Sequence, residues 1–169
     1  MKRSVYIIAL IPLLILSRSY ACSCGYGGSF VKMAAKTEFV ALVKVSKYLS
    51  VVSGIEGKAI PVSMEVEIVD IYKGSETRKK ITVWGDNGML CRPYITSFKE
   101  GNYYIIAFQR AGFTGEKKED YSISVCGSFW LNVDFTKHIA IGDIDNPDSS
   151  DKTNKTVTLF QLKNKIVSQ

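Results

Sequence analysis

The sequence predicts a mainly β domain of five to six strands closed into a barrel, with a short helix before the strands and another after them. Three observations predict it. Between residues 38 and 130, runs rich in Val, Ile, Tyr and Phe alternate apolar and polar side chains, the period of a half-buried strand. Turn signals built on glycine separate these runs at short intervals, a spacing that suggests barrel closure. The four cysteines, Cys22, Cys24, Cys91 and Cys126, follow an export signal, where an even number suggests disulfides.

The export signal covers residues 1–21. Lys2 and Arg3 precede an apolar run from Val5 to Leu16, and Ser19-Tyr20-Ala21 offers small residues for cleavage. That run is too short to span a bilayer comfortably. Cleavage after Ala21 makes Cys22 the first residue. A lipoprotein signal, which would attach diacylglycerol to Cys22, ranks second, because its usual Leu three residues before the cysteine is Ser19 here and the bulky Tyr20 follows. Removing 21 of 169 residues leaves 148, enough for one domain, expected over 22–142, followed by a tail over 143–169. Loss of Lys2, Arg3 and Arg18 lowers the formal charge from +6 to +3, so no strongly polyanionic partner such as nucleic acid is implied. No other segment is long and apolar enough to cross a membrane. The expected mature protein is secreted or periplasmic, monomeric, and off the membrane unless Cys22 carries a lipid.

Each element follows from local pattern. Gly25-Tyr26-Gly27-Gly28 is a flexible segment, and Ser29 is a plausible N-cap for a helix over Phe30 to Lys36. "EFVALVKVSKYLSVV" (38–52) and "PVSMEVEIVDIYKG" (61–74) read as two long strands joined through a loop containing Gly54 and Gly57. Further strands are expected at "KKITVWG" (79–85), "NYYIIAFQR" (102–110) and "DYSISVCGSFW" (120–130), with Glu100-Gly101 and "GFTGEKKED" as turns. The tail reads as a polar loop over 143–156, then a helix over 157–167 presenting Leu159, Phe160, Leu162 and Ile166.

The cysteines admit three uses. A four-thiolate zinc site normally takes its ligands in close pairs from two tight turns, which the wide spacing around Cys91 does not provide. A redox pair of Cys22 and Cys24 would leave Cys91 to Cys126, but it calls for a thioredoxin-like βαβ context that the sequence lacks. Two long-range bridges anchoring the N-terminal strand remain. Each would close about 70 to 100 residues, worth up to ~4 to 5 kcal/mol on the chain-entropy model.

With these elements in place, the chain resembles the inhibitory N-terminal domain of the tissue inhibitors of metalloproteinases, within the netrin-like OB-fold superfamily. The resemblance lies in the C-S-C start, the short helix, "VALVKV", "VEIVDIYKG", Cys91 before a turn, "EGNYYIIAF" and "SISVCGSFW", and spans roughly Cys22 to Phe135. It implies an OB-fold-like barrel and selects the disulfides Cys22–Cys91 and Cys24–Cys126 from the three connectivities that four cysteines allow. It also implies that the free amine and carbonyl of Cys22 chelate the catalytic zinc of a target protease, displacing the water that the metal activates. The protein itself would be no enzyme and would carry no cofactor of its own. Ser23 would enter the primary specificity pocket, Cys24 and Gly25 would continue along the cleft, and Met89 and Leu90 would form a second contact segment. The chain departs from the family in lacking a cysteine between Cys24 and Cys91, a Pro-rich ridge and a cysteine-rich C-terminal domain. A glycine-rich ridge should bind more weakly.

Two other functions are open to these residues. A netrin-like module could hold a protein or polysaccharide through Tyr103, Tyr104, Phe108, Phe129 or Trp130, although strand patterns assign most of these to the core. An enzyme would have to use His138, which has neither a nucleophile motif nor a second histidine near it. Asp143, Asp145, Asp148 and Asp151 lack EF-hand spacing and read as a solvated loop, and Asn154-Lys155-Thr156 is a formal glycosylation sequon.

Overall fold

The computed structural model describes residues 23–53, 59–146 and 155–168. Helix α1 (Phe30–Lys36) leads into β1 (Phe39–Tyr48), followed by β2 (Val51–Ser53), β3 (Ala59–Pro61), β4 (Ser63–Lys73) and β5 (Lys80–Trp84). After a 3-10 turn at Ile95–Ser97 come β6 (Tyr103–Arg110), β7 (Tyr121–Ser122), β8 (Trp130–Asp134), β9 (Ile139–Gly142), β10 (Lys155–Thr158) and α2 (Leu159–Val167).

Strands β1, β4, β5, β7 and β6 pair in that order, and β6 returns to β1, closing a five-stranded, OB-fold-like barrel. Strand β1 is the seam. It meets β4 on one side and β6 on the other, and three register shifts against β4, between Val40 and Lys47, give it the coil this demands. The circle closes through a parallel contact of Val83 and Trp84 with Tyr121 and Ser122. Beyond β6, the antiparallel ribbon β8-β9-β10 extends the sheet.

One apolar cluster joins these parts. Val43, Val66, Ile81 and Ile105 lie within it, together with Phe30 and Ala34 of α1 and Leu162 and Ile166 of α2. Phe39 stacks on Phe108 at 5.2 Å between ring centroids, and the fully buried Tyr121 leans on both. Tyr121 donates its hydroxyl to Glu76, which also forms a paired contact with the Arg78 guanidinium. Those bonds, led by the one from Arg78, hold the Glu76 carboxyl down to about 2.

Several expected boundaries move. The 38–52 strand stops at Tyr48, because the chain turns at Leu49 and Ser50 and forms a separate hairpin of β2 with β3. Pro61 closes β3, where it pairs with Val51, and β4 begins only at Ser63. Of the 120–130 strand only Tyr121–Ser122 and Trp130 pair in the sheet, since the residues between leave it to reach the N-terminal segment.

Apart from Trp130, the β8–β9 hairpin lies outside the expected strands. Its turn holds His138 at φ 52, with Asp134 accepting from the Thr136 hydroxyl and the Lys137 amide. The terminal helix starts at Leu159, capped by the Thr158 hydroxyl, which accepts from the Gln161 amide at 3.2 Å. It buries Leu162 and Ile166, while Phe160 is 75% exposed. At 100° per residue Phe160 stands about a third of a turn from the face carrying Leu159, Leu162 and Ile166, so it does not share the packed side with them.

Candidate functional site

Three segments converge at one edge of the barrel. The first is the ridge of residues 23–28. Cys24 is bonded to Cys126 across 102 residues of sequence, with the Cα atoms 5.5 Å apart. Alongside the bridge the Gly27 amide donates to the Cys126 carbonyl, and the Ser128 amide donates to the Gly28 carbonyl, each at 3.0 Å. This closeness explains Gly27. A Cβ there would lie 2.6 Å from the Cys126 carbonyl oxygen, so glycine serves close approach as well as freedom of motion. Gly127, at φ +148, similarly makes room for Met33 of α1.

The second segment, residues 86–92, is a turn wound on polar side chains. The buried Asp86 accepts from the Leu90 amide at 2.7 Å, and Asn87 accepts from the Met89 amide at 3.2 Å. Gly88, at φ +98, supplies the left-handed residue that the turn requires. The result pushes Met89 outward, 71% exposed, while Leu90 is half-buried. The Val125 amide donates to the Cys91 carbonyl at 3.2 Å, tying this turn to the third segment, 124–128.

The sulfurs of Cys24, Cys91 and Cys126 all lie within 4.8 Å of one another. Such crowding could suit zinc, but Cys24 and Cys126 are joined to each other and have no thiolate to offer a metal. Cys91 is disulfide-bonded as well. Its expected partner, Cys22, lies outside the described residues.

An ion pair supports the 86–92 turn from behind. The Arg92 guanidinium makes a two-pronged contact with the buried Glu116 carboxylate, which also accepts from the Gly112 and Phe113 amides at 3.0 and 2.9 Å. Burial alone would raise the Glu116 pKa, but the bonds from Arg92, then Phe113 and Gly112, outweigh it and hold the carboxyl below its ordinary range. Around the three sulfurs, Tyr26, Met89, Phe113 and Val125 expose apolar surface.

The expected contact residues Ser23, Cys24, Gly25 and Met89 are all exposed at this edge, and Leu90 lies beside them. Among the alternatives, Tyr104, Phe108 and Phe129 are buried, while Tyr103 and Trp130 are half-buried. His138 is a turn residue whose carbonyl accepts from the Leu159 amide at 2.9 Å. Asp143 accepts from Ser128 and Tyr26, and Asp145 pairs with Lys165. Asp148, Asp151 and Asn154 lie outside the described residues.

The sequence reading does not single out Tyr26, Val125 or the Arg92–Glu116 pair. Tyr26 carried a signal, as an aromatic residue among glycines beside C-x-C. The ion pair carried none, because its members stand 24 residues apart in loops. No model of a known protein family matches the sequence, and no curated protein matches it.

Proposed function

We propose that the chain is an exported inhibitor of zinc metalloproteases, and that the free amine and carbonyl of an N-terminal Cys22 chelate the catalytic zinc of the target. The observation that supports this reading is the exposure of Ser23, Cys24, Gly25 and Met89 on one edge, where the sulfurs of three distant segments meet. An α-amine and the carbonyl of the same residue can close a five-membered ring on a metal, and zinc accepts both nitrogen and oxygen ligands. Because the inhibiting chain ends at that residue, no peptide bond lies across the metal to be cut. A support that already holds its binding shape loses little conformational entropy on docking. Ser23 then sits at the specificity pocket, with Cys24 and Gly25 along the cleft and Met89 and Leu90 as the second contact. On this reading Cys91 bridges to Cys22.

A panel of purified zinc metalloproteases, titrated with protein beginning at Cys22, tests the proposal. Inhibition should compete with a small zinc-binding active-site inhibitor, and replacing Ser23 should change which proteases respond. A folded protein that inhibits none of them would favour a netrin-like module that binds a protein or polysaccharide.

A further inference from the structure

We propose that Tyr26, Ser128 and Asp143 form a polar latch that fixes the N-terminal ridge for binding. The latch rests on the inhibitor reading for its role, although its geometry stands apart from that reading. The Tyr26 and Ser128 hydroxyls both donate to Oδ2 of Asp143, Ser128 at 2.9 Å, and the two hydroxyl oxygens lie 3.2 Å apart. One carboxylate oxygen thus gathers the ridge, the loop before β8 and the exit from β9.

The backbone at that exit repeats the connection. The Phe30 amide donates to the Asp143 carbonyl and the Val31 amide to the Ile144 carbonyl, both at 2.9 Å, so the start of α1 is tied to the same two residues. The side chain of Ser29, before α1, makes no capping bond, and these carbonyls take the helix amides instead.

The ridge needs such a device. Gly25, Gly27 and Gly28 leave Tyr26 as the sole side chain between Cys24 and Ser29, and a Cβ at Gly25 would meet nothing within 4 Å. A glycine-rich strand loses more entropy on becoming ordered than other sequences do. The disulfide fixes the ridge at Cys24, and the latch fixes it two residues later. The segment that must lie straight in a protease cleft is therefore held before a protease arrives, which lowers the cost of binding. Tyr26, Ser128 and Asp143 act as positioning residues.

The test uses the Cys22-initiated protein and the variants Tyr26→Phe, Ser128→Ala and Asp143→Asn. Amide hydrogen exchange reads the ridge directly. Loss of a hydrogen bond to the carboxylate should speed exchange at Gly27 by about tenfold, leaving β1 and β6 protected. Against a protease that the parent protein inhibits, Tyr26→Phe should raise the dissociation rate by a similar factor while the melting temperature of the free protein stays unchanged. The double variant Tyr26→Phe with Asp143→Asn should lose no more than the worse single variant, since the bond is shared.

Unchanged exchange at Gly27 in both Tyr26→Phe and Ser128→Ala would overturn the latch. Faster exchange with an unaltered dissociation rate would overturn its role in affinity. If the parent protein inhibits no protease, the inhibitor reading fails, and the exchange data alone then decide whether the latch holds the ridge. Should Asp143→Asn disturb α1 and fail to fold, Tyr26→Phe, which removes one hydroxyl and keeps the ring, still decides.

Discussion

Along β6, every residue from Tyr103 to Phe108 faces a partner on β1, and five in succession are buried. Along the ridge, residues 23–26 are all exposed, and the chain is held by a disulfide, two backbone hydrogen bonds beside it and the contacts of Tyr26. Strand β6 keeps its place because apolar area leaves water and each residue repeats the pairing of the last. The ridge does not use that means, since residues 23–26 are exposed, as the proposed docking to a protease would need them to be. It depends instead on a few strong links from distant parts of the chain. The folding core and the candidate site therefore answer to different perturbations.

The largest effect should come from the barrel wall, the closed ring of strands to which β6 belongs. Phe108→Ala empties a site packed by Phe39 and Tyr121 and should cost about 3 to 5 kcal/mol in denaturant unfolding. Its folded fraction should keep the ridge geometry, read as unchanged exchange at Gly27.

Replacing Cys24 and Cys126 together by Ser should cost somewhat less, about 2 to 4 kcal/mol, mostly by freeing the unfolded chain. Unlike the core change, it should abolish protection at Gly27 while β1 and β6 remain protected under native conditions. Equal loss of protection in wall and ridge would erase the distinction drawn between them.

Acid should act on the wall next. The Glu76 carboxyl is held down to about 2 in the folded protein, so it binds its proton less readily than in the unfolded chain, whose ordinary value is 4.5. Its stabilisation is complete above that ordinary value and is lost as pH falls towards about 2. Glu76→Gln should flatten the fall in stability across this interval, as measured by unfolding curves at stepped pH.

The smallest effect on stability should come from Met89→Ala. With most of its surface in water, the side chain has little burial to lose, and the unfolding free energy should stay within about 0.5 kcal/mol of the parent. The same change should weaken target binding measurably. This separates a contact residue from a supporting one.

Much of the barrel was legible in the sequence, because alternation such as Met64-Glu65-Val66-Glu67 reports which face of a strand is buried, although the polar Ser63 just before it is buried as well. The pattern failed where backbone geometry rested on one unusual residue. His138, not glycine or asparagine, takes the left-handed position between β8 and β9, so no turn signal marked that hairpin. Phe160 misled for the opposite reason, being apolar but off the buried stripe of α2. At the site, the Cys24–Cys126 pairing came from the family resemblance and Met89 from the same source, while periodicity was silent on both. Nothing local in the sequence links Arg92 to Glu116, or Tyr26 to Asp143. Such pairs arise only once the barrel has brought its loops together.

Chelation by Cys22 as the first residue is open to one comparison. Protein beginning at Cys22 and protein retaining Ala21 should be assayed against the same zinc metalloprotease. Chelation requires a free amine on Cys22, so the Ala-extended form should fail to inhibit although its fold and disulfides are intact. Inhibition by the Cys22 form should weaken as pH drops below the α-amine's ordinary pKa of about 7.7 to 8.0, because a protonated amine has no lone pair for zinc. Equal inhibition by the two forms would contradict chelation by Cys22.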